Sequence, residues 1–149
     1  ADTAMSLIRG CRNCGTKNRV PTAHLADTGR CGACKQALPP VGEPLAVDMS
    51  TFDDIIQNSK VPILVDFWTS RCGPCRMAAP HVAEAARQVA GHGLVLKVDT
   101  EANSQLEARN NVRGIPNFAI FRHGLLVSPQ AGLVDSAQMV RWITGEPTT

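Results

Sequence analysis

The six cysteines of this chain form three CxxC pairs, and this pattern limits the possible folds more than any other feature of the sequence. One pair lies in WTSRCGPCR, residues 68–76, and the other four cysteines lie within the first 34 residues. Cysteines that are spread along a secreted domain cross-link its loops, whereas tight CxxC pairs without a secretory signal are typical of metal binding and redox chemistry. The first ten residues are too weakly apolar for such a signal, so we expect a cytoplasmic protein.

A proline-rich stretch separates a small basic segment from a larger body. Residues 10–37 are rich in Gly, Thr, Asn and Lys and have no sustained apolar periodicity, so they should not bury a core of their own. The stretch LPPVGEPL, residues 38–45, disfavours a helix and suggests an extended connector. We therefore predict one unit over residues 1–44, connector included, and a second over residues 45–149.

The second unit has the pattern of an α/β domain. Strands are predicted at VPILVDFW (61–68), LVLKVD (94–99), NFAIF (117–121) and LLVS (125–128). Helices are predicted at 51–58 with Thr51 as the cap, from 73 to about 90, over EANSQLEARNN, and at 135–143. The order βαβαββα predicts a mixed central sheet flanked by helices.

Charge and composition exclude several classes of partner. The chain has a net charge of +2, with 44% hydrophobic and 19% charged residues, and no apolar run long enough to cross a membrane. Residues 1–44 carry six Lys or Arg against three Asp or Glu but no aromatic residue, so stacking on bases is not expected there. We expect a monomer whose partners are neither nucleic acid nor a membrane.

The four N-terminal cysteines have the spacing of a zinc ribbon. Two CxxC pairs are separated by sixteen residues and contribute Cys11, Cys14, Cys31 and Cys34. A segment without an apolar core needs its metal in order to fold, and Gly15 and Gly32 would permit the tight turns. We predict one zinc ion and no organic cofactor; two local disulfides, or a site in which His24 replaces one sulfur, are the alternatives.

The third pair has the arrangement of a redox centre. Cys72 follows a buried strand and opens a helix, where unpaired N–H groups and the helix dipole favour a thiolate. Arg71 and Arg76 should lower its pKa further. Cys75 lies one turn later, so Cys72 can attack a substrate disulfide and Cys75 can then release the reduced substrate.

Beyond this chemistry, the sequence resembles the thioredoxin family. The resemblance rests on VDFW before CGPC, GIP at 114–116 and a glycine at 132, and it covers roughly residues 45–145. It implies a thioredoxin fold, reduction of protein disulfides, and regeneration by a thioredoxin reductase that draws on NADPH. With the N-terminal cysteine pairs it extends to nearly the whole chain, which resembles the zinc-containing thioredoxin-2 type of bacteria.

Asp66 is the third candidate catalytic residue. A carboxyl group within an apolar strand should favour its protonated form and could exchange a proton near neutral pH. The resemblance implies that it lies behind the cysteine pair and accepts the proton of Cys75. The alternative is a strand-end aspartate that reaches water.

The resemblance also implies a shallow substrate groove. Its members would be Trp68, Gly73, Pro74, Ile115, Pro116 and Gly132. Pro116 would be cis, and the backbone of Ile115 would pair with an extended substrate segment. Two residues depart from the family pattern, because Arg71 stands where Trp is usual and Asn117 where Thr is frequent. Redox potential and client preference are therefore less transferable than the reaction type.

Two other functions are compatible with these motifs. A thiol oxidase or disulfide isomerase can use the same fold, although Gly-Pro between the cysteines favours reduction. A zinc-ribbon adaptor would use the thioredoxin-like body only as a platform.

Overall fold

Two antiparallel hairpins form the N-terminal segment of the protein. The structure is a computed structural model that describes residues 5–110, 114–131 and 134–145. The strands of the hairpins are β1 (Ser6–Gly10), β2 (Lys17–Pro21), β3 (Gly29–Arg30) and β4 (Ala37–Leu38). β1 pairs with β2 and β3 with β4, and a short 3-10 turn at Thr22–His24 lies between the hairpins.

A five-stranded mixed sheet forms the larger body. Its strands are β5 (Leu45–Ala46), β6 (Ile63–Trp68), β7 (Leu94–Asp99), β8 (Asn117–Arg122) and β9 (Leu125–Ala131). The spatial order is β5-β7-β6-β8-β9. β5, β7 and β6 are parallel to one another, and β8 runs antiparallel to both of its neighbours, β6 and β9. The helices are α1 (Met49–Asn58), α2 (Gly73–Gln88), α3 (Ser104–Arg109) and α4 (Ser136–Thr144). The predicted mixed sheet with flanking helices is confirmed.

Both faces of β6 are buried, which explains its unbroken apolar run. Alternate side chains of a strand point to opposite faces. Val65 and Phe67 pack in one core cluster with Phe52 of α1, while Leu64 packs in a second cluster with residues of α2 and α4 such as Ala78. The period of two places Asp66 on the same face as Leu64, the face that α2 covers.

Helix α1 begins at a side-chain cap that stands earlier than the apolar pattern indicates. Asp48 caps α1 by accepting a hydrogen bond from the backbone N–H of Thr51 at 2.9 Å, so the helix begins at Met49. The expectation that Thr51 is the cap is therefore wrong by three residues, because an aspartate in extended conformation supplies the acceptor. Across the described ranges, no helix is long and apolar enough to span a bilayer.

The N-terminal segment packs onto the body. Leu25 and Val41 are 1% and 2% exposed and belong to the same core cluster as Phe52. The Val41 N–H donates to the Leu25 carbonyl at 2.9 Å, and the Thr22 hydroxyl donates to Asp54 of α1 at 2.5 Å. The proline-rich stretch is thus a fixed part of the fold, and the unit boundary after residue 44 stays a prediction.

Candidate functional site

Cys72 and Cys75 form a disulfide at the start of α2, so the structure represents the oxidised protein. Their Cα atoms are 5.2 Å apart. Cys72 is the N-cap of the helix, and its sulfur accepts a hydrogen bond from the Cys75 N–H at 3.1 Å. Cys75 is buried at 7% exposure, whereas Cys72 is half-buried. The first cysteine is therefore the sulfur that an incoming disulfide can reach.

Two arginines flank this pair at the surface. The Arg71 side chain is 87% exposed, and its Nε lies 3.7 Å from a carboxylate oxygen of Glu101. Glu101 also accepts a hydrogen bond from the hydroxyl of Thr69. Arg76 donates through Nη2 to the carbonyl of Ser70 at 2.7 Å. The charge of Arg71 is thus partly balanced by Glu101, which weakens its effect on Cys72.

Asp66 is buried at 3% exposure, and its Oδ1 has no hydrogen-bond partner within the described part of the chain. Burial raises the pKa of this carboxyl group to about 6, although the charge of Lys97 opposes the shift. Lys97 stands opposite Asp66 in the β6–β7 register, and its Nζ lies 4.7 Å from the ring centroid of Trp68. An interior group that changes its charge near neutral pH therefore lies on the sheet face that α2 covers.

A cavity of about 250 Å³ reaches the buried side of the cysteine pair. Trp68, Cys75 and Lys97 are among the residues that line it. Cys72 is not among the lining residues, so the cavity meets the pair on the side of Cys75. Asp66 is not among the lining residues.

The expected groove residues lie where two strands end side by side. Phe67 pairs with Asn117 in the β6–β8 register, so Pro116 lies beside the end of β6 from which the cysteine loop departs. The Ile115–Pro116 bond is cis, as expected. Exposure differs among the members: Gly73 and Pro74 are exposed, Trp68 and Ile115 half-buried, and Pro116 buried. Gly132 lies outside the described residues.

The four N-terminal cysteines converge on one point. All four sulfurs lie within 4.8 Å of one another. Two of the separations, Cys11 to Cys34 and Cys14 to Cys31, are 3.6 Å. A tetrahedral zinc ion with Zn–S bonds of about 2.3 Å requires sulfurs about 3.8 Å apart, so this set fits the ion. All four are free cysteines, so the structure does not contain the alternative of two local disulfides among these described residues.

Nearby N–H groups point at these sulfurs. The Ala33 N–H donates to the sulfur of Cys31 at 3.4 Å, and the Asn13 amide donates to that of Cys34 at 3.4 Å. Backbone N–H groups of Cys34 and Ala33 lower the pKa of Cys31 to about 6. These contacts favour the thiolate form at Cys31 and Cys34, the form that a metal requires, whereas the pKa of Cys11 is raised.

Lys35 is a structural member of the site that the sequence does not indicate. Gly15 and Lys35 both follow the second cysteine of a pair and both have positive φ, at 78° and 67°. Their N–H groups donate to the carbonyls of Cys11 and Cys31 at 2.8 and 3.0 Å, which closes two equivalent turns. Gly32 lies in the second of these turns, as expected, but with ordinary φ, so the residue with positive φ in that turn is Lys35.

His24 does not replace a sulfur. Its Nδ1 lies 2.7 Å from a carboxylate oxygen of Asp27. Throughout the described ranges, the metal-capable group around these sulfurs contains cysteines alone.

Comparisons with known proteins cover both parts of the chain. A family model described as Thioredoxin matches residues 43–145, and one described as Thioredoxin 2, N-terminal, matches residues 10–36. Thioredoxin C-3 of Corynebacterium nephridii is 41% identical over 137 residues, which cover 92% of this chain and 93% of that protein. A thioredoxin of Haemophilus influenzae is 34% identical over 103 residues, which cover 69% and 96%.

Solved structures agree with these matches. A mutant thioredoxin from Halobacterium salinarum superposes with a TM-score of 0.65 at 31% identity, covering 72% of this chain and 94% of that one. Plasmodium falciparum thioredoxin superposes with a TM-score of 0.62 at 25% identity, covering 69% and 99%.

Proposed function

Because this chain belongs to the thioredoxin family and is a thiol-disulfide oxidoreductase, we propose that it reduces disulfides of client proteins through its CGPC motif. The observation that supports this most is the unequal burial of the pair. Cys72 is half-buried at the N-terminus of α2, and Cys75 is buried behind it. Such an arrangement provides one attacking and one resolving sulfur.

The first step belongs to Cys72. In the reduced protein its thiolate attacks one sulfur of the client disulfide, so a Cys72–client bond forms while the client S–S bond breaks. The first client sulfur leaves as a thiolate and takes a proton from solvent. The helix N-terminus favours the charge on the attacking sulfur, and Arg71 and Arg76 add to this at the surface.

The second step belongs to Cys75 and Asp66. The ionised carboxyl group of Asp66 accepts the proton of the Cys75 thiol, and a water molecule relays this proton between the two groups. The Cys75 thiolate then attacks Cys72, which expels the second client sulfur and leaves the Cys72–Cys75 disulfide. Two electrons have passed to the client. A thioredoxin reductase that draws on NADPH restores the dithiol.

Client binding involves the groove beside the cysteines. An extended client segment pairs with the backbone of Ile115, as an added strand would. The groove offers apolar contacts from Trp68, Pro74 and Pro116. These contacts do not select a particular client sequence, so many different clients can bind. Gly73 and Gly132 complete the proposed groove.

The N-terminal segment binds one zinc ion in this proposal. Cys11, Cys14, Cys31 and Cys34 hold it, because their sulfurs have the separations that tetrahedral coordination needs. When bound, zinc joins the two hairpins and so stabilises a segment that has little apolar core. We propose a monomer in the cytoplasm, where a reducing pool keeps these thiolates free for the metal.

A coupled assay tests the function. Zinc-loaded protein, a bacterial thioredoxin reductase and insulin should consume NADPH, whereas the Cys72→Ser variant should leave NADPH untouched. Elemental analysis of the same sample should give one zinc per chain. Oxidation of a reduced peptide without NADPH consumption in the insulin assay would show a thiol oxidase instead.

A further inference from the structure

A cleft opens between the two hairpins of the N-terminal segment. Its volume is about 420 Å³, and its walls come from β1 and β2 on one side and from β3 and β4 on the other. We call it the arginine cleft, after the lining residues Arg9, Arg19 and Arg30. The proposed redox function makes no use of it.

Positive charge exceeds negative charge in this cleft. Three arginines line the cleft with a single acidic residue, Asp27. Arg9 pairs with Asn18 in the β1–β2 register, so the side chain of the adjacent Arg19 points to the opposite face of the hairpin. Arg9 and Arg30 are therefore the cations available to a ligand. The Asp27 carboxylate already has partners, because His24 lies 2.7 Å from it and the Lys60 ammonium 3.4 Å. An anion would therefore meet more cationic groups than anionic ones.

Two of the guanidinium groups are held in place while most of their donors stay available. Arg9 donates through Nη1 to the Pro39 carbonyl at 2.5 Å, and Arg30 donates through Nη1 to the Lys35 carbonyl at 3.1 Å. Each guanidinium has five N–H donors in a fixed fork, so one backbone bond leaves the others unused. Anchoring also lowers the entropy that a ligand would have to remove.

Glu43 does not neutralise the charge of Arg9 in the cleft. The Arg9 side chain is 18% exposed, and its nearest carboxylate oxygen, on the largely exposed Glu43, is 3.8 Å away, beyond hydrogen-bonding distance. Apart from these two backbone bonds, the donors of Arg9 and Arg30 therefore have no acceptor within the described residues.

We propose that the arginine cleft binds a small phosphate monoester. Such a group is close to a dianion at neutral pH and offers three strong acceptor oxygens, which suit the planar fork of arginine. The cleft volume lies within the range of about 300 to 1,000 Å³ that small-molecule sites occupy. Val20 and Leu38 line it as well and provide apolar contact for a short carbon skeleton.

A titration of the zinc-loaded full chain with glycerol 3-phosphate tests this site. Heteronuclear NMR should show saturable shifts at the amides of residues 18–20 and 29–32. Arg9→Gln and Arg30→Gln should each weaken binding about tenfold, because each removes a charge-assisted hydrogen bond of about 1.4 kcal/mol. Lys17→Gln removes the same charge from β2 outside the cleft, so it should change affinity less than about twofold.

Three results would overturn the proposal. One is the absence of saturable shifts in the millimolar range, and another is equal weakening by Lys17→Gln, which would indicate unspecific attraction to a basic segment. The third is equal binding of succinate, because two carboxylates would then satisfy the cleft as well as a phosphate does. Zinc content is measured on every variant, so that a lost ribbon fold is not mistaken for a lost ligand site.

Discussion

At the scale of single residues, burial changes the acidity of Asp66 strongly. Its pKa of about 6 in the folded protein compares with an ordinary value of 3.8. Between about pH 4 and 6 the folded state keeps a proton on Asp66 that the unfolded state has released, so the contribution of Asp66 to the free energy of unfolding should fall as pH rises through this window and level off above it. This pKa difference of about two units corresponds to roughly 3 kcal/mol in the free energy of unfolding.

The variant Asp66→Asn should lose this pH dependence. Above pH 6 the oxidised variant should be more stable than the wild type by up to roughly 3 kcal/mol, because no charge has to be buried. Urea unfolding of both oxidised proteins at pH 4, 6 and 8 measures the effect. If the free energy of unfolding of the variant falls by the same amount between pH 4 and 6, a group other than Asp66 causes the pH dependence.

Arg71 and Glu101 should shift the redox potential in opposite directions. The cation stabilises the Cys72 thiolate, which exists only in the reduced protein, so Arg71→Trp should make the protein a stronger reductant. Glu101→Gln leaves Arg71 without its partner and should make it a weaker one. Because the Arg71 side chain is 87% exposed and Nε lies 3.7 Å from Glu101, each shift should stay below about 20 mV.

Equilibration against glutathione buffers at low and high salt measures these shifts. Both should shrink at high ionic strength, because exposed charges are screened. Shifts of the same sign in the two variants would instead point to packing around the loop.

At the scale of elements, the two zinc turns depend on backbone conformation as much as on sulfur. Gly15 has φ of 78° and open space around its Cα, so Gly15→Ala adds strain of about 1 kcal/mol without a clash. Gly32 has ordinary φ, and an added Cβ would lie 3.6 Å from the Asn18 side chain, so Gly32→Ala should be nearly neutral. Competition with a zinc chelator should show roughly fivefold weaker binding for the first variant only.

Equal loss of zinc affinity in both variants would contradict this. It would mean that the added methyl group itself, and not the conformation of residue 15, disturbs the turn.

Elements that carry a continuous apolar signal were predictable from sequence, and short ones were not. The strand 94–99 has its predicted bounds, because LVLKVD is apolar on both faces apart from Lys97 and the final Asp99. β5 and the hairpins β1 to β4 are two to five residues long and have no clear alternation, so nothing in the sequence indicates their pairing. The cysteine pairs were predictable from spacing, whereas the positive φ of Lys35 was not, because lysine rarely adopts it.

At the scale of the whole molecule, the zinc segment and the body share a core. Leu25 comes from a polar segment between the CxxC pairs, yet it packs with Phe52 and Ile55 of α1. A single leucine among polar residues gives no periodic signal, which is why the sequence suggests a separate unit. Loss of the metal should therefore weaken the thioredoxin fold itself.

Leu25→Ala should destabilise the body although it lies outside it. Truncation of a fully buried leucine costs about 2 to 5 kcal/mol. Both tryptophans, Trp68 and Trp142, belong to the body, so their fluorescence during urea unfolding reports on that part alone. Ile8→Ala, at a side chain that is 56% exposed on β1, is the control and should cost less than about 0.5 kcal/mol. Zinc is kept saturating throughout.

Removal of zinc from the wild type by a chelator should lower the stability of the body, as is expected for Leu25→Ala. An unchanged urea midpoint after zinc removal would show that residues 22–41 hold their place on the body without the metal.

Cys72 attacks and Cys75 resolves in the proposed reaction, and trapping of the mixed disulfide distinguishes the two roles. Reduced, zinc-loaded Cys75→Ser protein, mixed with a peptide disulfide, should retain one peptide on Cys72, because no resolving thiol remains. Peptide mapping by mass spectrometry locates the adduct and separates it from reactions at the zinc cysteines. We expect a stable adduct on Cys72 in this variant and no adduct on Cys75 in Cys72→Ser. A stable adduct on Cys75 in Cys72→Ser, with none in the reverse case, would contradict these roles.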